Sequence, residues 1–244
     1  MALGPDADAD PRAWLAQIER APPLPGTFTA EPRPKPPLAA RPKNLSVTRI
    51  ELLIRDPYAI YCEHILNLEA LDPLNLPPDV RVRGTAIHKA LERFELELYN
   101  TAEELLTLIE HELRSGGEVE SEIIALRDQR FKVCQDYLDW RDAQVHEIEG
   151  APLTEDRGSI TISAAANEFM LSGTADRIER RIGNKIAILD FKTGKPPSEK
   201  QVRSGLSPQM PLQGLIARSG GYEKLGVSEV TALPYLRFGA QFQV

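Results

Sequence analysis

One apolar segment that ends abruptly in charge constrains this chain most. The run Ile186-Ala187-Ile188-Leu189, followed by Asp190-Phe191-Lys192, predicts a central strand buried on both faces. Charges at the end of such a strand are costly unless they meet a partner or an ion. Asp190 and Lys192 are two residues apart and therefore point to the same side, opposite to Phe191. A carboxylate beside an ammonium at a strand end suits a divalent cation and an anionic ligand.

A second carboxylate precedes this strand in Gly173-Thr174-Ala175-Asp176. Residues 168–180 read as a strand, and Gly183-Asn184 is a turn signal before Lys185. A hairpin turning there would place Asp176 on the strand beside Asp190. Two carboxylates from neighbouring strands can share one Mg²⁺, a cation that prefers oxygen ligands. The alternative from these residues alone is a solvated hairpin with ordinary charges at its ends.

The charge of the chain is unevenly distributed. The formal net charge is −7, yet residues 169–205 hold eight basic and four acidic residues and are therefore +4, which leaves −11 for the remainder. Because phosphate binding depends on the local field, an excess of Lys and Arg around a carboxylate pair fits a metal site that faces a phosphodiester. A merely solvated basic hairpin accounts for the charge equally well.

Length and composition set the class of protein. A chain of 244 residues, with 42% hydrophobic and 27% charged residues, can bury a core in one domain plus extensions. The acidic, Pro-rich start resembles neither a secretory signal nor a membrane span, so we expect a cytoplasmic protein with no membrane partner. Cys62 and Cys134 lack metal-binding spacing and are interpreted as small buried hydrophobic residues.

The chain divides at about residue 44. Residues 1–44 contain ten of the 20 prolines and predict a linker or extended arm, as at a join to an upstream domain, so that the chain reads as a fragment of a longer protein. The folded part, 45–244, opens with a capping box at Thr48 and Glu51. Asp56-Pro57 then predicts the start of a second helix that runs to about Leu68.

Three further helices are predicted before the strands. The first begins at about Arg83 and runs to Tyr99, which places His88 in its first turn, most simply as a surface or core-edge residue. Another helix begins at the capping box formed by Thr101 and Glu104, and a long amphipathic helix spans 120–147. Strands over 159–163, 168–180 and 185–192 then form an antiparallel meander, followed by a loop over 193–197, a helix over 208–217 and a strand over 227–238.

An ordered set of short motifs resembles a known family. Gly84-x-x-x-His88, Gly173-x-x-Asp176-Arg177-Ile178, Asp190-Phe191-Lys192-Thr193-Gly194 and Gln209 resemble the nuclease domain of the RecB family, in the PD-(D/E)xK superfamily. The opening at Leu45-Ser46-Val47-Thr48 with Asp56-Pro57-Tyr58 is similar to the C-terminal nuclease domain of AddB proteins, which belong to AddAB helicase–nucleases. The likeness covers about residue 45 to the end.

The resemblance implies a fold and a site. It implies an α/β restriction-endonuclease-like core, a small mixed β-sheet flanked by helices, with an N-terminal helical region. It implies that His88, Asp176, Asp190 and the backbone carbonyl of Phe191 bind Mg²⁺, with Mn²⁺ as a substitute. Lys192 would orient the attacking water together with the acids Asp176 and Asp190, and Gln209 would contact the substrate backbone or order the lysine.

Two departures from the family pattern qualify this expectation. The family often has Gln-x-x-x-Tyr after the lysine, whereas Gln213 stands at the last position here, so the role of that residue is open. Many AddB proteins carry a cysteine-ligated iron–sulfur cluster. With two cysteines and no matching spacing, no such cluster is expected.

The sequence therefore predicts a Mg²⁺-dependent DNA exonuclease domain. By resemblance it would act on linear DNA ends, with a single strand fed from a helicase, beside an AddA-like helicase–nuclease subunit in double-strand-break repair and recombination, in the cytoplasm and near the nucleoid. The alternatives are a catalytically silent scaffold that binds DNA or a subunit, and a stand-alone nuclease without a helicase partner.

Overall fold

A mixed sheet with helices on both faces organises the computed structural model, which describes residues 33–69, 80–164 and 167–244. The helices are α1 (Val47–Arg55), α2 (Pro57–His64), α3 (Val80–Leu96), α4 (Ala102–Ser115), α5 (Glu120–Ala125), α6 (Arg127–Gln144), α7 (Glu199–Arg203) and α8 (Gln209–Arg218). The strands are β1 (Asn44–Ser46), β2 (Leu153–Ala164), β3 (Asn167–Arg181), β4 (Lys185–Lys192), β5 (Glu229–Ala232), β6 (Tyr235–Phe238) and β7 (Phe242–Gln243). The predicted α/β class is confirmed.

The long strand β3 is the centre of the sheet. β2 runs antiparallel to it along one edge. On its other edge, β1 pairs in parallel with residues 170–172 and β4 pairs antiparallel with residues 177–181. β5 and β6 both lie parallel to β4, and β7 pairs antiparallel with β6. The predicted meander of β2, β3 and β4 is confirmed, and the predicted turn carries positive φ at Gly183 (84°) and Asn184 (59°).

Two apolar cores, one on each face of the sheet, hold the layers together. Helices α3, α4 and α6 pack on one face, against Ala187, Leu189 and Phe191 of β4. Helices α1 and α8 pack on the other face, against Ile186 and Ile188. The strand β4 is therefore buried on both sides, as its continuous apolar run predicts. Residues 36–244 form one compact unit.

The helix starts show where local sequence signals succeed and fail. Asp56 caps α2 as predicted, because its Oδ1 accepts hydrogen bonds from the backbone N–H groups of Tyr58 and Ala59, each at 3.1 Å. The capping box of Thr101 and Glu104 at α4 is also confirmed. The predicted cap at Thr48 is wrong. Ser46 caps α1 instead, since the chain leaves β1 at that residue.

Several predicted elements differ in extent. Helix α2 ends at His64 rather than at about Leu68, and β2 begins at Leu153 rather than at residue 159. The predicted helix over 120–147 is broken at Leu126 into α5 and α6, followed by a 3₁₀ helix at Val145–Glu147. The predicted strand over 227–238 is two strands, because Pro234 interrupts the ladder between β5 and β6. Helix α3 includes Val80 and so extends before Gly84, which places His88 in the interior of the helix rather than in its first turn.

Most of the predicted arm over residues 1–44 lies outside the described residues. Among the described helices, none combines the length and apolar character that crossing a membrane requires.

Candidate metal centre

The candidate site lies where β4 separates from β3. The hydrogen-bonded ladder between these strands ends at the pair Arg177 and Leu189, and β1 pairs only with residues 170–172 on the same edge. Asp176 therefore lies in a gap on that edge of β3. Its Oδ2 accepts a hydrogen bond from the backbone N–H of Phe191 at 2.7 Å. The gap gives a carboxylate direct access to the end of the neighbouring strand.

A shift in strand alternation occurs at the same level. Leu171, Ala175 and Ile178 of β3 all pack in the core formed with α1 and α8. The positions that face this core are therefore odd-numbered up to Ala175 and even-numbered at Ile178. On β2, Ile160 and Leu153 show the matching change. Because side chains normally alternate with a period of two, both strands have shifted by one position between these residues. The shift frees Asp176 from the face occupied by α8.

The shift on β2 coincides with an unusual backbone conformation. Glu155 lies between Thr154 and Asp156, whose partners on β3 flank Asp176. It has φ 46°, in the left-handed region that residues other than glycine rarely adopt. Such a conformation costs about 1–2 kcal/mol. Strained residues of this kind concentrate at functional sites, where surrounding contacts hold them in place.

Helix α3 brings His88 to this gap. The Nδ1 atom of His88 lies 3.4 Å from Asp176 Oδ2, with side-chain exposures of 31% and 14%. The imidazole ring also makes an edge contact with the ring of Phe191, at 6.1 Å between centroids. Gly84, one turn earlier, lies beside Thr193, which follows β4, so this part of α3 runs along the end of that strand.

Glu155 is a third side chain at this site, and it was not predicted from the sequence. Single donor atoms of His88, Glu155 and Asp176 all lie within 4.8 Å of one another. Glu155 follows Thr154 near the start of β2, in a stretch without any motif, and a glutamate in a strand is an ordinary surface residue by sequence. The only signal for it is its position between two residues whose partners flank Asp176, which requires knowledge of the strand register.

Asp190 lies on the neighbouring strand and is held by other groups. Its Oδ1 accepts a hydrogen bond from Gln209 Nε2 at 2.7 Å, and Lys192 Nζ lies 2.7 Å from its Oδ2. The buried Oδ2 is therefore paired with the ammonium of Lys192. Gln209 Oε1 also accepts a hydrogen bond from Lys192 at 3.5 Å. Asp190, Lys192 and Gln209 therefore form one connected group.

Burial and like charge perturb the carboxyl groups. Asp190 is only 2% exposed, and burial followed by the charge of Asp176 raises its pKa to about 6, against the opposing effect of Lys192. Burial and the negative charges of Asp176 and Glu92 likewise raise the pKa of Glu155. Carboxylates brought together in this way repel one another, and a bound cation would relieve that repulsion.

Gln213 acts on the backbone of β3. Its side chain is 1% exposed, and Nε2 donates a hydrogen bond to the carbonyl oxygen of Thr174 at 2.9 Å. It is one turn after Gln209 on α8, so two glutamines on one face of this helix hold Asp190 and the segment that leads to Asp176. Gln213, which departs from the family pattern, therefore stabilises the backbone of β3 next to the site.

The structure brings the six predicted site residues to one region but not into a single ligand set. His88 and Asp176 face each other, whereas Asp190 is held by Gln209 and Lys192 on the α8 side of the gap. The backbone N–H of Phe191 is bonded to Asp176, and a role for its carbonyl as a ligand stays a prediction.

The residues present fit a divalent metal ion. The carboxylate oxygens of this set suit Mg²⁺ and Mn²⁺, and an imidazole nitrogen suits transition-metal cations. Donor atoms of His88, Glu155 and Asp176 lie within 4.8 Å of one another. The convergence of one imidazole with two carboxylates is that of a cation site.

Comparison with known proteins identifies the family. The family model of the PD-(D/E)XK nuclease superfamily matches residues 44–242, which is most of the chain. The chain belongs to the PD-(D/E)XK nuclease superfamily, whose members are generally metal-dependent nucleases. The fold of the sheet and its flanking helices agrees with this assignment.

Relatives of the chain are longer proteins. Uncharacterized protein RC0550 of Rickettsia conorii is 29% identical over 206 residues, covering 75% of this chain and 23% of the relative. Uncharacterized protein RT0391 of Rickettsia typhi is 32% identical over 193 residues, covering 74% and 22%. The chain thus spans less than a quarter of the length of these relatives. The crystal structure of SSO0001 is 14% identical, with a TM-score of 0.26 over 78% of this chain and 72% of that chain, too low to support an inference.

The raised pKa of Asp190 predicts a pH-dependent stability effect in EDTA. In the folded protein the pKa of Asp190 is about 6, above its usual 3.8. The free energy of unfolding therefore falls as pH rises from about 4 to about 6, and the cost of burying the ionised carboxylate is fully present above that range. Asp190→Asn removes a cost on the order of 1–3 kcal/mol. We expect it to raise the melting temperature by a few degrees at pH 8, and much less near pH 4.

Differential scanning calorimetry checks this expectation. Asp142→Asn is the control, because Asp142 has a side chain that is 67% exposed. That variant should leave the pH profile unchanged. A lower melting temperature for Asp190→Asn than for the wild type at pH 8 would show that burying the ionised Asp190 carboxylate does not destabilise the protein.

The convergence of Glu155 with His88 and Asp176 predicts a contribution to cation binding. Glu155→Gln keeps the shape of the side chain and removes its charge, so the affinity for Mn²⁺, measured by electron paramagnetic resonance, should fall about ten- to a hundredfold. Glu168→Gln, at an exposed residue of the same hairpin, is the matched control and should leave the affinity unchanged. Equal affinities for both variants would remove Glu155 from the ligand set.

Proposed function

We propose that the chain is the Mg²⁺-dependent DNA exonuclease domain of a helicase–nuclease complex that acts in double-strand-break repair and recombination. The observation that carries the proposal is the convergence of His88, Glu155 and Asp176 beside the Asp190–Lys192 pair, within a chain of the PD-(D/E)XK superfamily. The narrower likeness to AddB proteins, and with it an AddA-like partner subunit and a position near the nucleoid, rests on the motif set and on the greater length of the relatives.

Some of these residues would bind the cation, and others would act on the phosphate. His88, Asp176 and Asp190, with the carbonyl of Phe191 and the carboxylate of Glu155, would hold the cation. When bound, Mg²⁺ supplies Lewis acidity toward phosphate oxygen and lowers the pKa of water. Lys192 supplies a fixed positive charge where negative charge develops on the phosphate during in-line attack. Gln209 positions both Asp190 and Lys192 through its two hydrogen bonds.

An exposed arginine beside the site supports an anionic substrate. Arg157 is exposed and forms no ion pair in the part of the chain that the structure describes. It is two residues from Glu155. Gly158, next to it, packs toward Tyr222 and Ile216 on the α8 side, so Arg157 points to the opposite face, from which His88 approaches. A free guanidinium there suits the phosphate backbone of DNA.

Degradation of DNA tests the proposal directly. Linear duplex and single-stranded DNA should be degraded in the presence of Mg²⁺, and covalently closed circular DNA should be spared, because an exonuclease requires an end. Asp176→Asn should lower the rate by roughly 10²- to 10³-fold while the fold is retained by circular dichroism. Asp142→Asn, at an exposed position remote in sequence from the motifs, is the control and should retain full activity.

Under this proposal the chain is one domain of a motor-driven complex, so the assay uses the full-length protein together with its helicase partner. Wild-type activity that persists in Asp176→Asn would refute the nuclease assignment to this site. Cleavage of closed circular DNA would replace the exonuclease with an endonuclease. DNA binding without any Mg²⁺-dependent degradation would favour a catalytically silent scaffold.

Substitution of Lys192 should lower the catalytic rate without weakening metal binding. Lys192→Met keeps most of the aliphatic chain and removes the charge that lies 2.7 Å from Asp190 Oδ2. We expect kcat to fall roughly 10²- to 10³-fold, since charge stabilisation in the transition state is lost. The affinity for Mn²⁺ should change by less than about threefold or increase, because no ligand has been removed. Parallel losses of kcat and metal affinity would contradict this role. Lys195→Met, at an exposed lysine of the following loop, is the control.

A further inference from the structure

A buried arginine directly follows Asp176 and connects β3 to the helices above it. Arg177 is 2% exposed. Its guanidinium donates hydrogen bonds to Glu95 of α3, to Glu179 at 3.0 Å and to the hydroxyl of Tyr137 at 3.4 Å. Tyr137 in turn donates to Glu95 at 3.2 Å. Burial alone would lower the pKa of Arg177, but Tyr137, Glu95 and Glu179 together raise it, so the group is fully charged.

The network continues along β3 away from the site. Glu179 is 1% exposed and accepts a second hydrogen bond from Arg181 at 2.8 Å. Arg181 also pairs at 2.6 Å with Glu147, whose side chain is 55% exposed. Arg177, Glu179 and Arg181 thus form a row of alternating charge on the face covered by α3 and α6. Only the Glu95 end of the row lies on the helix that carries His88.

Two contacts, Glu95 with Arg177 and His88 with Asp176, fix helix α3 on the sheet. Glu95 is seven residues after His88, two turns along the same face and about 10 Å along the axis. Arg177 is adjacent to Asp176 in β3. The helix is therefore attached at two points, by the ion pair of Glu95 with Arg177 and by the approach of His88 to Asp176. Rotation or sliding of α3 that separates His88 from Asp176 would also have to break the buried ion pair.

A role in stability alone explains this network poorly. Removing charges from water is expensive, and well-packed apolar residues of similar volume often replace buried ion pairs with no loss of stability. The pair does fix an orientation, because the rigid guanidinium fork donates hydrogen bonds in a fixed planar geometry. A site whose ligands come from a helix and from a strand needs such a constraint, since a displacement of about 1 Å spoils ligand geometry.

We propose that the buried pair of Arg177 and Glu95 positions His88 against Asp176, so that the ligand set is in place before a cation arrives. This inference deepens the proposed function and rests on it. Both residues act through His88 and touch neither cation nor substrate, so they are positioning residues. The same pair would hold α3 during turnover, when the charge at the site changes.

Glu95→Gln tests the inference, with Glu147→Gln as its matched control. Both changes remove one carboxylate from the same network without changing side-chain size, but only Glu95 lies on α3. We expect Glu95→Gln to weaken Mn²⁺ binding, followed by electron paramagnetic resonance well below the melting temperature, about tenfold. Glu147→Gln should stay within twofold of the wild type. Arg177→Lys keeps the charge but loses the fork, and should behave like Glu95→Gln.

Crystal structures of the metal-free variants supply a second measurement that does not depend on activity. The distance between His88 Nδ1 and Asp176 Oδ2, 3.4 Å here, should increase by about 1 Å or more in Glu95→Gln and stay unchanged in Glu147→Gln. A lower melting temperature of Glu95→Gln with unchanged distance and Mn²⁺ affinity would make the pair structural only and overturn the inference. A wild-type protein that binds no Mn²⁺ would refute the proposed function instead, and the distances would still decide whether the pair positions His88.

Discussion

Burial of negative charge where β3 and β4 separate is the constraint on which the rest of the site depends. Asp190 is almost fully buried, and burial together with the charge of Asp176 raises the pKa values of both Asp190 and Glu155. Carboxylates in such a place are unstable without compensation. Lys192 and Gln209 compensate Asp190, and the backbone N–H of Phe191 compensates Asp176. These groups leave a net negative charge that a divalent cation can balance.

The arrangement of the acids follows from the shift in strand alternation. In a regular sheet Asp176 and Asp190 would be opposite each other and would face α8 together. The shift near Glu155 releases Asp176 into the gap between the strands, where His88 from α3 meets it, while Asp190 stays with Gln209 on the α8 side. Ligands can then approach one cation from both layers of helices. The left-handed conformation of Glu155 is the local cost of this arrangement.

Local signals in the sequence were sufficient for the elements that carry the site. The buried strand β4, the turn at Gly183 and Asn184, and the cap at Asp56 each follow from a few adjacent residues, and each is found in the structure. The convergence of His88 with Asp176 came from the resemblance of ordered motifs. Glu155 could not be predicted, because its place in the site depends on strand register and on the shift in alternation, and neither is encoded within a short window.

Errors at helix boundaries had the same origin. Thr48 satisfied the local pattern of a cap as well as Ser46 did, and the pairing of β1 with β3, a contact with residues far along the chain, decided between them. Pro234 is visible in the sequence, but whether it ends a strand or only interrupts one depends on the path of β4 beside it. Pairing with residues distant in sequence therefore determines the ends of helices and strands where local propensity allows more than one.

The charge count of residues 169–205 shows why a sequence sum is a poor measure of a local field. Arg177 and Arg181 are paired with carboxylates in the buried row of charges. These two arginines are not available to a phosphodiester, although they contribute to the positive excess. Arg157, outside the counted stretch, is exposed and unpaired among the described residues. The field near the site is therefore set by which cations lack a carboxylate partner, and the buried arginines serve the geometry of the site rather than its attraction for substrate.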